Sequence, residues 1–175
     1  MPTEQVVAGS IPAGRNKNSK IKIQKSKIPN FYMSEALKEA KKAADKDEVP
    51  VGAVVVQEGK IISRGHNQVE LLRDATAHAE MLALTSAENS SGAKWLIGAS
   101  LYVTLEPCAM CAGALVLARV KHIYYGAQDP KSGACGSVVN IANHKKLNHR
   151  IKVKGGMMRE ECGELLKEFF RKKRL

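Results

Sequence analysis

Four residues carry the chemistry of this chain. His78 lies thirty residues before Cys108, and Cys111 follows three positions later, so three metal-ligating side chains come from two short stretches. Those stretches are Thr76-Ala77-His78-Ala79-Glu80 and Glu106-Pro107-Cys108-Ala109-Met110-Cys111. One imidazole and two thiolates suit zinc, and three protein donors leave a tetrahedral ion one position short. Water at such a position is acidified toward neutrality. Glu80, which is not needed as a ligand, is then available to move protons. The competing reading is a structural zinc whose fourth ligand is Cys135 or Cys162, but a spare carboxylate two residues after the ligand histidine has no purpose there.

These residues need particular elements to bring them together. Inside a helix, positions 78 and 80 would be separated by about 200°, so His78 is expected at or just before a helix start. Thr76 is expected as the N-cap, and Ala79-Glu80-Met81-Leu82-Ala83-Leu84 is a strong helix-forming run. Pro107 is expected at the first position of a second helix, where its missing N–H costs nothing. Cys108 and Cys111 then share a face in the first turn, where the positive helix end favours thiolate.

The rest of the chain supplies a framework. Phe31 to Asp45 has helical periodicity, and Val49 to Val56 and Lys60 to Gly65 read as a hairpin around Glu58-Gly59. Asn67 follows the second of these strands, where a sheet edge opens onto a cleft. Ser100 to Thr104, the helix from Cys108 to Ala118, and Lys121 to Tyr125 form a βαβ unit with parallel strands. Val138 to Ala142 is expected as one helical turn, Arg150 to Val153 as a fifth strand, and Met158 to Phe170 as a final amphipathic helix. Metal ligands therefore gather where helix N-termini meet strand ends. Residues 31–175 are expected to form one α/β domain. Residues 1–30 form a basic N-terminal extension, with Met33 as an alternative start.

Charge narrows the partner. The chain of 175 residues has a formal net charge of +11, unevenly distributed. Residues 1–30 hold six basic and one acidic side chain, and Arg171-Lys172-Lys173-Arg174 is entirely basic. Residues 119–154 hold eight basic groups against Asp129 alone. Basic segments around a site of this kind fit a phosphate backbone, and a membrane is not expected, since no stretch approaches the length of a span. Four cysteines and no apolar signal core fit a reducing compartment, the cytoplasm. The basic N-terminus also admits an organelle-targeting peptide, although a single Arg fits one poorly.

The H-x-E…P-C-x-x-C pattern is the known signature of zinc-dependent nucleobase deaminases. More specifically, the chain resembles the tRNA adenosine deaminases of the TadA type. The likeness covers Val49-Pro50-Val51-Gly52-Ala53-Val54, His66-Asn67, Asp74 to Glu80 and Leu101 to Cys108. It continues through Gly126 to Gly133, Asn148-His149-Arg150 and Phe169-Phe170-Arg171. It implies a cytidine-deaminase-like three-layer α/β/α sandwich around a five-stranded mixed sheet. It also implies a homodimer with one Zn2+ per subunit, converting adenosine to inosine at the wobble position of a tRNA anticodon, typically that of an arginine tRNA. By the same resemblance His78, Cys108 and Cys111 hold zinc and Glu80 is catalytic. Asn67 bonds the flipped adenine, Asp129 meets the anticodon-loop backbone or ribose, and Phe170 and Arg171 meet the anticodon stem-loop by stacking and phosphate contact. Two other functions use the same residues: deamination of a free base such as guanine or cytosine, and a silent RNA-binding subunit with structural zinc.

Overall fold

A computed structural model describes residues 28–174; the basic segment 1–27 lies outside them. Five strands form one mixed sheet in the order β2-β1-β3-β4-β5. They are β1 (Gly52–Gln57), β2 (Lys60–His66), β3 (Ser100–Leu105), β4 (His122–Ala127) and β5 (Lys152–Lys154). β1 runs antiparallel to β2 and β3, whereas β3, β4 and β5 are parallel. The expected βαβ unit is therefore present. The hairpin turn at Glu58 and Gly59 has φ of 50° and 75°, the paired left-handed geometry that matches strand twist.

Alternation along each strand separates two cores. Ala53 and Val55 of β1 pack with Leu101 and Val103 of β3 beneath helices α3 (Ala79–Ser91) and α4 (Ala109–Leu117). Val54 and Val56, with Tyr102, face the other way toward Met33, Ala36 and Leu37 of α1 (Ile28–Asp45) and Cys162 of α5 (Arg159–Lys173). Helices on both faces of one sheet make the expected three-layer α/β/α sandwich.

Two glycines set how closely these layers approach. A Cβ at Gly52 would lie 2.1 Å from the Ala36 carbonyl oxygen and 2.3 Å from Ala40 N, in α1. A Cβ at Gly65 would lie 2.4 Å from the Ala79 carbonyl oxygen and 2.7 Å from Ala83 N, in α3. Each helix backbone thus rests directly on a strand backbone, and α3 does so within its first turn, next to His78.

Several local expectations need correction. Thr76 is not the N-cap of α3; His78 is, and the Thr76 hydroxyl and N–H both bond Asp74 Oδ1. Pro107 is not the first residue of α4, because Cys108 is its extended N-cap, with φ −74° and ψ 176°. Val138 to Ala142 is not a helical turn. The amides of Val138 and Val139 bond the Gly133 carbonyl, and those of Ile141 and Ala142 bond that of Ala134, so no i→i−4 ladder forms. A short helix α2 (Val69–Leu72) was not expected. α1 begins at Ile28, inside the expected extension, since Pro29 is tolerated in a first turn. α5 runs three residues beyond Phe170.

Candidate active site

The two ligand stretches meet because each ligand begins a helix. His78 has φ −71° and ψ 153°, an extended conformation that turns its ring out of the α3 cylinder. Cys108 does the same before α4, and Cys111 is the third residue of that helix. His78 Nδ1 lies 3.7 Å from Cys108 Sγ and 3.5 Å from Cys111 Sγ. All three donor atoms lie within 4.8 Å of one another. Among the described residues neither Cys135 nor Cys162 joins the group; both thiols are buried and pushed up to about 12, mainly by burial.

The donors fit zinc on geometry as well as chemistry. With bonds of about 2.3 Å to sulfur and about 2.05 Å to nitrogen, a tetrahedral ion separates N from S by about 3.6 Å. The protonation pattern of these three groups agrees with a place for a cation. Hydrogen bonds from Cys111 and then His78 push the Cys108 thiol down to about 4. The hydrogen bond to Cys108 pulls His78 up, and Cys111, as the donor in the same pair, is raised. The three groups share protons that a metal ion would replace.

Glu80, the second residue of α3, is buried beside this group. Burial raises its carboxyl to about 7, opposed by hydrogen bonding to its own backbone and by the His78 charge. A cation held by the adjacent donors also opposes burial. An acid poised in this range can both accept and return a proton.

His78, Glu80 and Cys108 line a cavity of about 980 Å³, together with Asn67, Asp129, Lys131, Phe169, Phe170 and Lys173. Phe170 is 44% exposed and meets Phe169 edge-on, with ring centroids 5.4 Å apart. Lys173 reaches over Phe169 and pairs with Asp47 across the mouth. Arg171 is exposed on α5 and is not among the lining residues. Asp129 faces the cavity, but its carboxylate is turned onto its own loop. Oδ1 accepts the amides of Lys131 (2.9 Å) and Ser132 (3.2 Å), and Oδ2 the Ser132 hydroxyl. Partial burial raises this group, yet those hydrogen bonds hold it below the usual carboxylate range.

Two buried carboxylates, Glu48 and Glu106, shape the site and gave no signal as such in the sequence. Glu48 accepts Asn67 Nδ2 and the amides of Glu70 and Leu71. Glu106, 2% exposed, accepts the amides of Asp129, Cys135 and Ser137, each at 3.1 Å, and the Ser137 hydroxyl. The 128–137 loop is therefore wrapped around one side chain. Glu106→Gln replaces an acceptor by a donor against these amides. Thermal unfolding of this variant is expected to show a loss of about 2 kcal/mol, with an unchanged melting curve counting against the role.

Fold and site together define a deaminase, and the MafB19-like deaminase family model matches residues 29–174. The chain is 52% identical over 144 residues to the tRNA-specific adenosine deaminase of Bacillus subtilis, covering 82% of this chain and 89% of that protein. It is equally identical to the corresponding enzyme of Aquifex aeolicus, covering 82% and 95%. A solved structure from a study of A-to-I editing by tRNA:A34 deaminases superposes with a TM-score of 0.75. It is 46% identical and covers 78% of this chain and 99% of that one. The guanine deaminase from Nitrosomonas europaea superposes with a TM-score of 0.71 at 26% identity, covering 81% and 84%. The chain belongs to the tRNA-specific adenosine deaminase family, of the TadA type.

Proposed function

We propose that this enzyme hydrolyses adenosine to inosine at wobble position 34 of a tRNA anticodon, typically that of an arginine tRNA, releasing ammonia. The observation that carries this reading is one cavity lined by His78, Cys108, a buried Glu80 and the α5 aromatics, with Cys111 completing the donor group behind it. Its size, with Lys46, Lys131 and Lys173 around it, fits a nucleotide with its neighbours better than a lone base. Identity near half to relatives that act on tRNA supports the same choice over the guanine deaminases.

His78, Cys108 and Cys111 would hold a zinc ion, which when bound would supply the Lewis acidity that brings water toward ionisation near pH 7. Glu80 accepts one proton at its carboxylate as water adds to C6 of the purine. It passes that proton to N1, then takes the proton of the new C6 hydroxyl and delivers it to the departing amine, so that water and adenosine become inosine and ammonia. Asn67 holds the base, extruded cheaply from a single-stranded loop. Phe170 stacks on a neighbouring base, while Asp129 meets the loop backbone and Arg171 a phosphate beyond the cavity rim. The enzyme acts as a homodimer in the cytoplasm. Support for a covered face comes from exposed Trp95, Leu117 and Leu147 around one shallow pocket. No helix among the described residues is long and apolar enough to cross a membrane.

The test is incubation of purified protein with a tRNA pool, followed by sequencing for A-to-I change, with free guanine, cytosine and adenosine in parallel. Inosine confined to position 34 is the expected result; turnover of the free bases alone would overturn it.

A further inference from the structure

Asn67 is 7% exposed, lines the cavity, and is held at its backbone by a 3.0 Å bond from its N–H to the Val51 carbonyl. Its side-chain amide is held too. Nδ2 donates to Glu48 Oε2 at 3.2 Å. Glu48 is 1% exposed and uses the same oxygen for the Glu70 amide at 3.2 Å, and Oε1 for the Leu71 amide at 2.7 Å. A carboxylate receiving three N–H groups is an acceptor on both oxygens. Turning the Asn67 amide over would set its oxygen against an oxygen of a buried carboxylate, and such an arrangement is costly to leave uncompensated.

We propose that Glu48 is a positioning residue that fixes the orientation of the Asn67 amide, so that Oδ1 is the atom presented to the substrate. Among the described residues the side-chain hydrogen bond of Asn67 runs through Nδ2 to Glu48, which leaves Oδ1 for the substrate. The group it reads is therefore a hydrogen-bond donor, an N–H or O–H of the target nucleotide. Because Glu48 also grips the first turn of α2, whose Val69 and Glu70 line the same cavity, the amide and that wall are held as one unit. This inference rests on Asn67 contacting the substrate, as proposed above.

The test is a reciprocal exchange, read as kcat/KM for inosine formation on an anticodon stem-loop RNA, with zinc content and cooperative melting checked for every variant. Asn67→Asp alone places two carboxylates together and is expected to lower kcat/KM about 100-fold. Adding Glu48→Gln restores a donor–acceptor pair with residue 67 in the reverse sense, at the expense of the acceptor for the Glu70 amide, and leaves an oxygen toward the substrate. That double variant is expected to recover at least about tenfold of the loss, and no recovery overturns the proposal. Glu48→Gln should cost less in an Asn67→Ala background than in the wild type, the remainder being its hold on α2, whereas fully multiplying losses overturn the role of Glu48 in positioning Asn67. Unchanged kcat/KM in Asn67→Ala instead removes Asn67 from the site and so overturns the reading on which the inference rests. Should Glu48→Gln fail to fold, the unaltered protein decides. One of the two Asn67 side-chain amide protons should exchange at least about tenfold more slowly than the other by NMR, and equal rates overturn the proposal.

Discussion

Replacing Glu80 by Gln is expected to lower kcat at least about 10³-fold while leaving one zinc per chain. The substitution conserves volume at a buried position, so packing of the α3 first turn is retained. What it removes is the buried carboxyl beside the ligand trio, which burial raises and an adjacent cation lowers, and which can take and return a proton. The ligands themselves are untouched, and tRNA affinity, carried by a wide cavity mouth, should change by no more than about twofold. Metal analysis, filter binding and inosine sequencing on the same preparation separate the three quantities. Retention of more than about a tenth of wild-type kcat would remove Glu80 from proton transfer.

Gly65→Val is the second large effect, and it acts from the opposite side of α3. Even a Cβ at Gly65 lies 2.4 Å from the Ala79 carbonyl and 2.7 Å from Ala83 N, both backbone atoms that cannot rotate away. Room for valine requires α3 to lift from β2, at a cost of about 3 kcal/mol for overpacking of this kind. The lift begins next to His78, so the imidazole leaves the two sulfurs, and a displacement of about 1 Å at a catalytic group costs about 100-fold in rate. Urea unfolding should show the lower stability and metal analysis a weakened hold on zinc. A variant with wild-type stability and full metal content would mean that the contact is not what seats the helix.

How much of this was written in the chain depends on the distance between cooperating residues. The grouping of His78, Cys108 and Cys111 with Glu80 buried beside them was legible because residue type and close spacing bring such donors together, and because the 78/80 separation excludes a helix interior for His78. The mixed sheet was legible through its hairpin and its βαβ unit. Glu48 and Glu106 were not, since each is a carboxylate whose partners lie between 19 and 31 residues away and are mostly backbone amides. Nothing in a side-chain pattern records where amides will converge. The 138–142 segment misled for a related reason: its apolar residues suit a helical turn, but its amides are taken by the carbonyls of Gly133 and Ala134. Thr76 is a good cap residue whose hydroxyl was already claimed by Asp74.

At the helix starts at His78 and Cys108 the fold gives something up. Neither side chain makes a capping hydrogen bond, and Ser or Asp at such a position would strengthen a helix by about 1 kcal/mol. In metal-free protein, Asp at position 78 and Ser at position 108 would therefore harden the scaffold against heat. A search for robustness alone would find both changes and return an inert molecule.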